Sequence, residues 1–146
     1  MENKEKDVQL GVRVHGTIAL KEVRYQILPL GNGEEKMEVK DEIIHSEITH
    51  KGFKLFYSRS VKLSPSAFFE LFVSYESIVE FDGAAGEKIL KDDARIREWI
   101  ENNEVRIANS FNLPAKASHL IADVSEGAGF APILTNPTVI LPGTDF

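Results

Sequence analysis

Four histidines, a few paired acids and scattered serines are the side chains here whose types allow metal, acid–base or nucleophilic chemistry. A metal site needs ligands that converge on one point. His45 and His50 are five positions apart, and on a strand that spacing sends them to opposite faces, away from any shared ion. His15 and His119 have no companion at ligand spacing. Asp41 and Glu42 are a candidate acid–base pair, but strand neighbours face apart and do not share a proton. Asp92 and Asp93 fall where a helix is expected to start, and acids in a solvated first turn suit the macrodipole. Ser74, Ser77 and Ser125 lack His and acid at a recognised spacing, and no Gly-x-Ser-x-Gly elbow occurs. Gly31-Asn32-Gly33 reads as a plain turn. Gly127-Ala128-Gly129 follows a helix instead of opening one, so it is a helix end and not a phosphate cradle. Arg95, Arg97 and Arg106 are cancelled by interleaved acids, so nucleic acid is not an expected partner. The expectation is a protein that is not an enzyme and uses no cofactor or metal.

The elements that must position these side chains are legible from composition and period. The sequence has 146 residues, one domain's worth of chain, with 42% hydrophobic and 27% charged residues. It holds 17 basic and 23 acidic residues for a net charge of −6, a balance that suits a basic partner better than nucleic acid. It contains no cysteine, which excludes disulfides, thiolate nucleophiles and Cys-type zinc sites. The opening MENKEKDVQ is polar, and no segment approaches the roughly 20 apolar residues of a membrane span. A cytoplasmic location without membrane insertion is expected.

Val8, Leu10, Val12 and Val14 alternate with polar residues, and Ile18 and Leu20 continue that face. Val23, Tyr25 and Ile27 take the opposite parity, which calls for a bulge near Lys21–Glu22. A second strand runs through Met37, Val39 and Ile43, with a parity change expected at Ile44 and Ile48. Phe53, Leu55, Tyr57, Val61 and Leu63 share a face of a third strand, interrupted by Arg59. Phe69, Leu71, Val73, Tyr75, Val79 and Phe81 line a fourth, with Phe68, Phe72 and Ile78 on its other side. Short turns at Lys51-Gly52 and Ser64-Pro65 favour an antiparallel meander. The period then becomes helical: Ile96, Trp99, Ile100, Ile107 and Phe111 form one stripe that includes Asn103. Asn112 is the expected side-chain cap of a second helix, with Pro114 in its first turn. Ala117, Leu120, Ile121, Val124 and Ala128 are its expected buried face. The class is therefore α+β, a four-stranded antiparallel sheet followed by a long, broken helix.

Apolar residues on parts of both sheet faces need two covers, and one chain's helices supply one. A second subunit is expected to supply the other, and nine Phe with three Tyr offer the aromatic surface for it or for extended polypeptide.

Leu113-Pro114 through Gly127, followed by Gly129-Phe130-Ala131-Pro132-Ile133-Leu134, resembles the C-terminal core of the SecB export chaperones. Ala67-Phe68-Phe69-Glu70-Leu71-Phe72-Val73 to Gly83 resembles the last strand of that family's sheet. The likeness is clearest over residues 53–141. It implies one SecB-like domain over residues 1–146, with a frayed start at 1–7 and an extended tail at 135–146. It also implies a dimer or dimer of dimers without cofactor that holds hydrophobic segments of unfolded polypeptide without ATP. The family's contexts are protein export, with delivery to the secretion motor ATPase, and toxin–antitoxin systems. A client-free assembly protein of the same fold is the alternative. Phe56, Phe68, Phe72, Ile78, Phe130, Pro132 and Leu134 are the expected polypeptide contacts. In the family a further C-terminal helix helps wall the groove. Here Leu141-Pro142-Gly143-Thr144-Asp145-Phe146 resembles only its lead-in, and Thr135-Asn136-Pro137-Thr138 lengthens the strip before it, so a more open groove is expected.

Overall fold

Alternating apolar positions, broken by turn residues, build the strands. The computed structural model describes residues 13–27, 36–64, 69–82, 93–129 and 131–141. Strands β1 (Arg13–Ile27), β2 (Lys36–Ser46), β3 (Gly52–Ser64) and β4 (Phe69–Asp82) precede helices α1 (Asp93–Ser110) and α2 (Leu113–Gly127). All pairings are antiparallel and the strand order is β1-β4-β3-β2. The meander therefore extends over β2, β3 and β4 only. β1 lies beside β4, not β2, which gives a Greek-key order. The physical reason is connection length. A tight turn forces its two strands to pair, but residues 28–35 separate β1 from β2 and leave β1 free to match the longer β4.

The register of β1 shifts between Leu20 and Glu22, at the bulge the parity change demands. In β2 no shift occurs: Met37, Val39, Asp41, Ile43 and His45 keep one face, and Ile44 simply points to the other. The expected parity change is instead a strand end, because Glu47 takes a positive φ of 52° beyond Ser46. Val8, Leu10 and Val12 lie outside the described residues.

One sheet face packs on the helices. Leu55, Tyr57 and Val61 of β3 and Leu71, Val73 and Val79 of β4 are fully buried there with Ile96, Ile100, Ile107, Leu113, Ala117 and Ile121. Trp99 packs its edge on Phe81 at 5.6 Å and 82°. Asn103 sits on the apolar stripe because its amide is satisfied within α1. Its Nδ2 donates to the Trp99 carbonyl at 2.8 Å, and its Oδ1 accepts from Arg106 at 2.7 Å.

α2 starts differently from expectation. Asn112 adopts φ 58°, ψ 29°, and its side chain makes no capping bond. It serves as the left-handed hinge between the two helices, a conformation that Asn tolerates better than most residues. Its carbonyl still accepts from the Lys116 N–H at 2.9 Å. Pro114 does occupy the first turn. Ala128 is exposed, not part of the buried face, because the helix has already ended at Gly127 and the chain turns through Gly129 at φ 96°.

Candidate polypeptide-binding site

The covered side of the sheet is not covered everywhere. α2 packs on β3 and β4. The β1 row beside it, Ile18, Leu20 and Val23, points to the same side, opposite Ser77, Tyr75 and Val73. It remains open, with Leu20 51% exposed. Next to it runs a groove of about 480 Å³ lined by Tyr75, Ala115, Lys116, His119, Leu120 and Asp123. Burial pushes the Tyr75 phenol above its ordinary range. An apolar floor with a helical wall and a few polar rim groups suits an extended apolar segment.

The opposite face carries three of the expected contacts: Phe56, Phe72 and Ile78 share it. Ile44 lies beside Phe56, and Ile78 is diagonal to Phe56 across β3 and β4. Charges break up the row. Arg24 stacks over Phe72 at 4.8 Å, and Glu76, opposite Phe56, pairs with Lys21 at 3.1 Å and Lys54 at 3.4 Å. Hydrogen bonding to Lys21, with a further contribution from Lys54, holds the Glu76 carboxyl below its ordinary range. A depressed carboxylate contributes stability that is present above its unfolded-state value and is lost as pH falls through the folded value. Glu76→Gln should therefore lower the urea midpoint at neutral pH, and the gap to wild type should close in acid. A gap that persists in acid would assign Glu76 a role other than ion pairing.

Pro132 and Leu134 lie away from that face, on an exposed strap that continues from α2. Phe68 and Phe130 lie outside the described residues. The strap crosses the helix-bearing side and is held along both edges. On the helix edge, Ser125 Oγ accepts from the Ile133 N–H at 2.9 Å, Ser118 Oγ donates to the Thr135 carbonyl at 2.7 Å, and Asn109 Oδ1 accepts from the Val139 N–H at 2.9 Å. On the sheet edge stands Arg59, fully buried, bonded through Nε and Nη2 to both carboxyl oxygens of Asp41 at 2.7 and 2.8 Å. Its remaining N–H groups donate to Thr135 Oγ1 at 3.0 Å, the Thr138 carbonyl at 3.0 Å and the Asn136 carbonyl. Asp41 Oδ2 also accepts from the Ile140 N–H at 2.9 Å. Burial disfavours the guanidinium charge, but Asp41 and Tyr57 together outweigh it and keep Arg59 above its ordinary range. Burial also pushes the neighbouring Tyr57 phenol well above its ordinary value.

The side chains that could do chemistry are dispersed. Asp41 and Glu42 face opposite sides, opposite Arg59 and Ser58 respectively. His45 Nδ1 meets Glu104 Oε2 at 2.9 Å beneath α1, and His50 lies exposed in the turn after β2. His15 reaches Glu80 at 3.1 Å, and His119 lies on the groove rim. Ser77 donates to the Thr17 carbonyl at 2.9 Å, and Ser125, on α2, accepts from the Ile133 N–H of the strap. Among the described residues no three His, Asp or Glu gather, and no helix is long and apolar enough to cross a membrane. Sequence reasoning did not single out Ile18, Leu20 and Val23 as exposed residues, because alternation marks a strand face without saying whether it is covered. It also missed the Arg59–Asp41 pair, whose signal was the charged residue interrupting β3.

No family model and no curated protein matches the sequence. Among solved structures the chain is similar to the Mycobacterium tuberculosis Rv1957 SecB-like chaperone, solved in complex with a ChAD peptide from the Rv1956 HigA1 antitoxin. The TM-score is 0.63 at 10% identity, over 93% of this chain and 98% of that one. A Streptococcus agalactiae protein of unknown function aligns at TM-score 0.49 and 12% identity, over 86% of this chain and 98% of that one. At these identities the likeness is one of fold: this chain has the α+β architecture of a SecB-like chaperone, a four-stranded antiparallel sheet with two helices.

Proposed function

We propose that this chain is a SecB-like holding chaperone that binds hydrophobic segments of non-native polypeptide without ATP and without catalysis. The observation that carries the reading is the uncovered apolar row Ile18, Leu20 and Val23 beside the α2 groove, on a fold shared with a peptide-binding chaperone. Phe56, Phe72, Ile78, Pro132 and Leu134 add apolar contacts on the open face and the strap, with Phe68 and Phe130 as further candidates. A second copy of the chain completes the site. Among the described residues β1 is an edge strand, fifteen residues long with β4 as its sheet neighbour, and such an edge is a template for a partner strand.

Two client contexts are open to such a chaperone. The antitoxin peptide held by the neighbouring structure favours an antitoxin segment as client. Export, with transfer to the secretion motor ATPase, has less support, because acids and bases alternate among the described residues of the open face.

Purified protein should suppress light scattering by an aggregating unfolded protein and should bind a hydrophobic dye, both in the absence of nucleotide. A protein that does neither is no chaperone. Leu20→Glu should weaken client binding roughly tenfold, the equivalent of one buried leucine lost. If Leu20→Glu instead leaves client binding intact and halves the native mass by light scattering, the row serves subunit contact and the assembly-protein reading gains.

A further inference from the structure

Leu134 is 80% exposed, yet the backbone on either side of it is fixed. The Ile133 N–H is bonded to Ser125, and the Thr135 carbonyl to Ser118. Thr135 is held a second time through its hydroxyl, which accepts from Arg59. Ile133 and Thr135 are half-buried, and Leu134 between them is turned outward. Beyond it, Arg59 and Asp41 tie Asn136, Thr138 and Ile140, and Ile140 is buried. All five N–H donors of Arg59 are thus used, in a planar fork that lysine cannot reproduce.

An apolar side chain on a loose tail must be immobilised when it binds, at an entropic cost that weakens the contact. On this strap, folding has already met the backbone part of that cost. We infer that Arg59 and Asp41 are positioning residues for polypeptide binding: with Ser118 and Ser125 they fix residues 133–140, so that Leu134 stands preorganised against an extended apolar segment of a non-native chain. Neither residue touches the client. The role rests on the holding function proposed above and adds to it the device that sets affinity at one contact.

The test is a double-mutant cycle on the full chain, read by fluorescence anisotropy with labelled, reduced and carboxymethylated α-lactalbumin as a permanently unfolded probe. Leu134→Ala should weaken binding by about 5- to 10-fold. Arg59→Met with Asp41→Leu replaces the ion pair by apolar residues that keep the core filled. This pair of substitutions should produce a similar loss, with faster hydrogen exchange at the Ile133, Val139 and Ile140 amides. Adding Leu134→Ala to it should bring no further loss, because a contact already displaced has nothing left to lose. Ser118→Ala loosens the strap from the helix edge without touching the core pair, and covers the case in which the double variant fails to fold. It should show a smaller loss that is likewise non-additive with Leu134→Ala. Additive losses, or a Leu134→Ala variant that binds like wild type, overturn the positioning role and leave the holding function standing. A wild-type chain that binds no probe overturns the holding function, and this role with it.

Discussion

Asp41→Ala is expected to cost roughly 3–5 kcal/mol, the range for breaking a buried ion pair by removing one partner. The magnitude follows from what remains. Arg59 is fully buried between β3 and the strap, and Asp41 takes two of its five donors. Without the carboxylate, those two N–H groups face the core unpaired, and the charge loses the group that offsets its desolvation. The Ile140 N–H loses its acceptor as well. A loss of this size is a large fraction of the stability of a typical domain, on the order of 5–15 kcal/mol. Urea denaturation followed by tryptophan fluorescence would measure it, since Trp99 is buried in the core. A loss below about 1 kcal/mol, the scale of an exposed pair, would show that solvent reaches the site.

Gly52→Ala should produce the next largest loss, about 1–3 kcal/mol or more. Gly52 opens β3 opposite Glu80 and is buried. A Cβ there would overlap the Val79 carbonyl oxygen and lie 2.9 Å from its carbon and 3.0 Å from Glu80 Cα. All three are backbone atoms of the neighbouring strand, so no side chain can rotate aside to make room. The strand pair would have to separate at the turn, where Thr49 Oγ1 accepts from the Gly52 N–H at 3.2 Å and the Lys51 carbonyl accepts from Phe81 at 2.8 Å. Gly127→Ala is the control, because a Cβ there meets nothing within 4 Å. Equal urea midpoints for the two variants would show that the β3–β4 backbone yields more easily than its packing implies.

Features encoded over a few residues were legible in the sequence. Alternation located the strands, the parity flip located the bulge at Leu20–Glu22, and three-to-four spacing located the helical stripe from Ile96 to Ile107. Features that depend on distant residues were not. Nothing within residues 13–27 says that their partner is β4, or that Ile18, Leu20 and Val23 stand exposed at that edge. Thr135-Asn136-Pro137-Thr138 reads as an insertion because the residue that organises it, Arg59, lies on another strand. The candidate contacts divide in the same way: Phe56, Phe72 and Ile78 share a face by strict alternation, whereas the position of Pro132 and Leu134 depends on the strap. The left-handed turn at Asn112 shows the remaining ambiguity, since Asn favours both a cap and a positive φ.

The strand order also sets a schedule. Pairing of Arg13 with Asp82 and of Ile27 with Phe69 means that β1 has no partner in the sheet until β4 has been synthesised. Such separated pairings make for slow folding, because the loop must close before any contact rewards it. Meanwhile β2, β3 and β4 can zip together through their short connections. Until then β1, which carries Ile18, Leu20 and Val23, has the chemistry of the apolar segments that the finished protein is proposed to hold. Its incorporation is therefore expected to be the last step of sheet assembly, and a substitution that weakens β4 should delay β1 as well.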